Sequence, residues 1–288
     1  MLKTNRLIVI KDIYQMKKDR IYTDTHLCAI VIPVYKESID KYEELSFRQC
    51  LKVLYRYPIF LLTHEHLDTS VYDNIAKDNN VKLDRSFFAD EYFGSIDGYN
   101  SLLKSKKFYN AIEAFRYILI YQLDAFVFRD ELEDWCKKEY DYIGAPWIAD
   151  NNGELMERKY WKVGTGGLSL RKVSYCLKVL SWKGPVLKYS YYKKLKYLPY
   201  ILGWKNNMRY FLKSKLNEDG IFGGLLTPSY INPKLPSPKE AALFAFENPP
   251  LYMYHMCNNQ LPFGCHAFLK FEYETFWKQY IEVVNHNR

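Results

Sequence analysis

The sequence has no CxxC pair and no regular cysteine framework, since its six cysteines stand apart at 28, 50, 136, 176, 257 and 265. That scatter argues against a disulfide scaffold and predicts free thiols in a reducing compartment. Long apolar runs are missing too. In MLKTNRLIVIKDIYQ a lysine follows four apolar residues, too few for a signal-peptide core, and no other segment reaches the length of a membrane span. A cytoplasmic protein is expected. There is no internal repeat, no low-complexity tail, and neither a GK[ST] phosphate loop nor a GxGxxG fingerprint in the glycine-rich stretch VGTGGLSLRK. Acids are absent from one long interval: between Arg158 and Asn217 there are fifteen Lys and Arg and no Asp or Glu.

That interval accounts for the net charge of +8, because the remainder of the chain is acidic. Its basic aromatic part, 183–215, interleaves cations with Tyr, Trp and Phe in KYSYYKKLKYLPYILGWKNNMRYFLKSK. This mixture suits a surface lying on the anionic inner face of a membrane. A solvated lysine face with its aromatics turned inward explains it as well. No helix-turn-helix, RNP or zinc signature accompanies the charge, so no nucleic acid is expected as partner.

At 288 residues, 48% hydrophobic and 26% charged, the chain can bury a substantial core. HLCAIVIPVYKE and YPIFLLTHE read as strands with the helix-compatible YEELSFRQCLKVLYR between them, a βαβ unit. VKLDRSFFAD follows, then a helix over GYNSLLKSKKFYNAIEAF, then a strand over YILIYQLDAFVF. Later come a short strand in KYWKVGTGGLSLRK, a helix RKVSYCLKVLSW, a proline-rich loop PSYINPKLPSP and a helix PKEAALFAFE that begins on proline. The prediction is an α/β fold with a mostly parallel, Rossmann-like central sheet flanked by helices. A nucleotide-binding half, 1–150, and an acceptor half, 151–288, share this one continuous fold.

Asp124 interrupts an otherwise apolar strand. An ionised carboxylate in that setting needs a buried Lys or Arg, a metal ion, or a strand end where a site opens. Glu218 and Asp219 follow the acid-free interval and open a short helix, either as capping acids beside Asn217 or as a carboxylate pair aimed into a cleft. Gly164, Gly166 and Gly167 allow close backbone approach to a ligand or form a plain hairpin. Ser169 offers a hydroxyl to a sugar. Trp147 and Trp161 are candidates for stacking on sugar rings or for the core. His266, preceded by Pro262 and Gly264 in a predicted turn, is a structural histidine or a metal ligand. Cys265 is a soft ligand or a small buried thiol.

Four islands in order, IVIPVYKE, QLDAFVF, VGTGGLSLRK with NEDGIFGG, and LPFGCHAF, resemble the GT-A class of nucleotide-sugar-dependent glycosyltransferases. They are most similar to a poorly characterised bacterial family with LDA, GxGGxSLR, NED and PFGCHA motifs. The resemblance runs from about residue 28 to 278 and implies an inverting transferase that uses a UDP-sugar donor. It implies that Asp124 and His266 hold Mn²⁺ or Mg²⁺, that Asp219 removes the acceptor proton, and that Glu218 orients an acceptor hydroxyl. Pro33, Tyr35 and Glu37 would hold the nucleotide, with Asn100 and Lys104 as secondary contacts unless they belong to a solvated face. Gly166, Gly167, Ser169 and Trp147 would bind the acceptor, a glycan, polyprenyl-linked in capsule or lipopolysaccharide assembly. Where GT-A enzymes carry Asp-x-Asp, this chain has Asp124, Ala125 and Phe126, which leaves the metal fewer ligands. A retaining transferase and a non-catalytic carbohydrate- or lipid-binding protein are the alternatives.

Overall fold

The computed structural model describes residues 27–149, 154–186, 206–214, 216–223 and 230–286. The N-terminal stretch read for a signal peptide and most of the basic aromatic segment lie outside the described residues. Eleven strands are labelled in chain order: β1 Cys28–Pro33, β2 Ile59–Thr63, β3 Leu83–Phe87, β4 Tyr117–Tyr121, β5 Phe126–Val127, β6 Tyr142–Gly144, β7 Pro146–Trp147, β8 Lys162–Val163, β9 Leu168–Lys172, β10 Ala245–Phe246 and β11 Gly264–Cys265.

The main sheet has six strands in the order β3-β2-β1-β4-β9-β6. β3, β2, β1 and β4 run parallel, β9 is antiparallel to both its neighbours, and the predicted mostly parallel α/β sheet is what forms. Every residue of CAIVIP and of YILIY is buried, because helices cover both faces of the central strands. On one face lies the helix Lys41–Leu54, opened by a capping box in which Asp40 accepts from the Tyr42 and Glu43 amides and Glu43 accepts from the Asp40 amide. Its Phe47, Cys50, Leu51 and Leu54, at helical spacing, pack against β1 and β4. The other face is covered by Leu102, Leu103, Phe108 and Tyr109 with the helix Val173–Leu180.

The expected strand over 117–128 is two strands. After Tyr121 the chain turns, with the Ala125 amide bonded to the Gln122 carbonyl at 2.9 Å, and β5 leaves to pair with β11 in a second, three-stranded sheet. Side chains of the helix Lys41–Leu54 hold this departure: Ser46 Oγ donates to the Ala125 carbonyl at 2.5 Å and Gln49 Nε2 to the Val127 carbonyl at 2.8 Å. These partners satisfy backbone groups that would otherwise be buried and unpaired. Asp124 therefore does not sit inside a strand; it occupies the turn, with its side chain 48% exposed.

Two predicted helices are shorter than expected. The stretch 98–115 breaks into Ile96–Leu103 and Lys106–Ala111, because Ser105 caps the second by accepting from the Phe108 amide. PKEAALFAFE is helical only over Pro238–Phe244 and continues as β10. All six cysteines are buried and free. Among the described residues no helix is long and apolar enough to cross a membrane.

Candidate functional site

Because β2 and β4 lie on opposite sides of β1, chain connections diverge there and a crevice opens beyond the C-terminal ends of β1 and β4. A cleft of about 740 Å³ fills it, lined by Pro33 at the end of β1 and Tyr35 after it, Gln122 and Asp124 after β4, Gly166 and Gly167 before β9, Glu218 and Asp219, and His266. Residues far apart in sequence meet here: some flank β1, β4 and β9 at this edge, Glu218 and Asp219 open a helix, and His266 follows a strand of the second sheet. Tyr35 is 60% exposed at the mouth, where Tyr92, Phe93 and Ile96 form the facing rim.

His266 follows β11, and its ring lies between two carboxylates. Nε2 is 3.2 Å from Asp124 Oδ1 and 3.1 Å from Gln122 Oε1, while Nδ1 is 3.3 Å from Glu247 Oε2. Burial opposes a charged ring, but Glu247 and Asp124 outweigh it and push His266 up to about 10. Partial burial acts to raise Asp124, yet His266 holds it below its ordinary value. Gly167 has the ring against its backbone, so a Cβ there would overlap the imidazole. Of the predicted turn residues, Gly264 is in the strand β11 and Pro262 precedes it, and the backbone is left-handed at Ala267, with a φ of 52°.

Glu218 and Asp219 open the helix Glu218–Phe222, where Asn217 stands at the cap position without a side-chain cap bond. Asn100 takes that role from a neighbouring helix, accepting from the Glu218 amide at 3.0 Å. Glu218 is buried and ion-paired to the fully buried Arg171 at 2.8 Å. Arg171 also donates to Ser169 Oγ, Tyr109 Oη and the Gly166 carbonyl, which fixes the guanidinium completely. A Cβ at Gly166 would lie 2.5 Å from Glu218 Oε1, so this glycine makes room for the carboxylate. Among the described residues no cation is ion-paired with Asp219. Burial, the Glu218 charge and more distantly Glu247 raise it from 3.8 to about 7, against the opposing Gly220 amide and Arg171.

Several expected contacts lie elsewhere. Ser169 is buried, its hydroxyl bonded to the Gly166 carbonyl at 2.7 Å and to Arg171, and does not reach the cleft. Lys104 donates to the carbonyls of Ser214 and Leu216 and is absent from the lining. Glu37 is exposed outside the cleft. Trp161 packs edge-on against Tyr252, whereas Trp147 lines the cleft and covers Gly164. Cys265 is buried in the second sheet. Arg171 and Glu247 were not foreseen; the arginine of GxGGxSLR was visible in sequence, but its charge pointed to solvent rather than to a carboxylate 47 residues later.

The fold and cleft define an α/β protein with a crevice at its topological switch point, walled by carboxylates from distant segments. Residues 82–266 match the family described as protein of unknown function, DUF5672, and the chain belongs to that family. No curated protein matches the sequence. Among solved structures, core-mannan synthase A from Aspergillus fumigatus in its Mn/GDP form is similar at 8% identity and a TM-score of 0.42, over 71% of this chain and 70% of that one.

Proposed function

We propose that the protein is an inverting glycosyltransferase that moves a sugar from a nucleoside-diphosphate sugar to a glycan hydroxyl. The observation that carries the reading is that Asp124 and the Glu218–Asp219 pair, 94 residues apart, line one cleft at the switch point of the sheet. Such a reaction needs a group for the departing diphosphate and a base for the acceptor hydroxyl. Asp219 suits the base: it is partly accessible, no cation among the described residues is ion-paired with it, and its raised pKa places proton uptake near neutrality. Glu218, fixed in place by its ion pair with Arg171, suits an acceptor of hydrogen bonds from the incoming hydroxyl. Tyr35 and the rim of Tyr92, Phe93 and Ile96 suit the flat base of the nucleotide.

No group of three or more His, Cys, Asp or Glu side chains is arranged to hold a metal among the described residues. The donor set still fits a hard cation that completes its shell with substrate phosphates, because Nε2 of His266 lies 3.2 Å from Asp124 Oδ1 and 3.1 Å from Gln122 Oε1, separations that neighbouring ligands of one cation can have, and the cation would take the place of the Nε2 proton. Asp124 and His266 would hold such a cation, Mn²⁺ or Mg²⁺, which would supply Lewis-acid stabilisation of the leaving diphosphate. Among the described residues that line the cleft, the one lysine, Lys36, is paired with Glu43 at 2.7 Å. The acceptor is read as a lipid-linked glycan on the charge of the basic segment alone.

Thermal shift against a panel of nucleoside-diphosphate sugars, with and without Mn²⁺, tests donor binding, with a rise of about 2.7 kcal/mol in stability at one hundred times Kd. Incubation of the bound donor with candidate acceptors, followed by NMR of the anomeric configuration, then tests transfer. Inversion is expected. Retention would dismiss Asp219 as base, and the lack of both transfer and donor hydrolysis would leave a binding protein.

A further inference from the structure

Glu247 stands at a position the reaction outlined above does not use, yet it is built into the cleft. It follows β10, and the parallel pairing of Phe246 with Cys265 sets it beside His266, whose amide bonds to the Phe246 carbonyl at 3.0 Å. Glu247 Oε2 and His266 Nδ1 are both buried and without a hydrogen bond; at 3.3 Å they are within ion-pair reach but off the line of one. A buried acceptor and a buried ring nitrogen left in this state each carry a desolvation cost that their mutual hydrogen bond removes. The ring has little freedom to choose otherwise. Gly167 presses on it, and Gln122 and Asp124 occupy the side of Nε2.

We propose that Glu247 is the positioning residue of His266, accepting a hydrogen bond from Nδ1–H and so turning the lone pair of Nε2 toward Asp124 as a ligand for a divalent cation. The inference rests on the reading of Asp124 and His266 as the cation's ligands. A histidine that binds metal through one nitrogen needs its other N–H anchored, which fixes tautomer and orientation and raises the basicity of the ligating atom. Asp124, half-exposed in the cleft, is the carboxylate on the ligand side; Glu247, its outer oxygen buried, is the carboxylate on the anchoring side. Two acids about one imidazole thus have different tasks.

The test is Mn²⁺ binding to the full chain, followed by EPR with and without inorganic pyrophosphate. Glu247→Gln is expected to weaken Mn²⁺ binding by roughly 10–100-fold, and Glu247→Asp to recover part of the loss, while Asp124→Asn and His266→Ala abolish binding. If Glu247→Gln binds as tightly as the wild type while His266→Ala does not bind, Glu247 only fills space and the cation reading stands alone. If the wild type binds no Mn²⁺ under either condition, the cation reading falls and takes this inference with it. Should Glu247→Gln fail to fold, long-range ¹⁵N NMR of the Mg²⁺-loaded wild type decides: the Nδ1–H tautomer of His266 is expected, and Nε2–H overturns the proposal.

Discussion

Asp219 and Glu218 are neighbours in sequence and opposites in environment. Arg171 is ion-paired with Glu218, whereas Asp219 accepts from the Gly220 amide at 2.6 Å and feels the field of nearby acids more than that of Arg171. Proposed as the base, Asp219 must be ionised, so transfer is expected to rise with pH to a plateau above about 7, with a slope of one proton. Asp219→Asn should lower kcat by roughly 10²–10⁴-fold and remove that acid limb. Stability should respond in the opposite sense. The folded protein holds the Asp219 proton more tightly than the unfolded chain, so that contribution is complete below about pH 4 and is lost as pH rises through about 7. The loss is on the order of 4 kcal/mol, and urea unfolding should show Asp219→Asn gaining on the wild type between about pH 4 and pH 7. The sequence displayed this carboxylate pair. It did not display which member has the arginine, because the partner lies on another strand.

At the scale of elements, β9 and the helix Glu218–Phe222 are joined through one buried ion pair and the glycines beside it. Arg171→Met leaves Glu218 buried without its cation and should cost about 3–5 kcal/mol in urea unfolding, while Arg171→Met with Glu218→Gln should recover most of it. Gly167→Ala should displace His266 and reduce transfer at least about a hundredfold, with the fold retained. Elements with local causes were readable: the Asp40–Glu43 capping box starts a helix, and CAIVIP makes a central strand. The break at Gln122–Ala125 was not, since YILIYQLDAFVF carries no turn signal and the bend is held by Ser46 and Gln49 from a helix some 75 residues earlier.

On the scale of the whole molecule, positive charge is concentrated in one interval and the proposed chemistry in a cleft of carboxylates. If the basic aromatic segment lies on an anionic membrane, cosedimentation with phosphatidylserine vesicles should fall steeply as NaCl rises from about 50 to 300 mM. Exchange of Lys188, Lys193, Lys194 and Lys196 for Gln should weaken binding at least about a hundredfold, at roughly 1 kcal/mol per cation at low salt. Salt-independent binding, or none, would return the segment to a solvated face with no lipid role.

The α/β class, the central strands and the identity of the acids came from the sequence alone, because periodicity, caps and composition act over a few residues. Which acid is paired, which glycine clears which side chain, and which residues surround His266 were decided only when strands distant in the chain were brought side by side. Gly166 and Gly167 illustrate the division: both invited a reading as room for a sugar, and both make room for the protein's own Glu218 and His266. A side chain's charge is written in its formula, but its pKa and its partner are properties of the space the rest of the chain leaves around it.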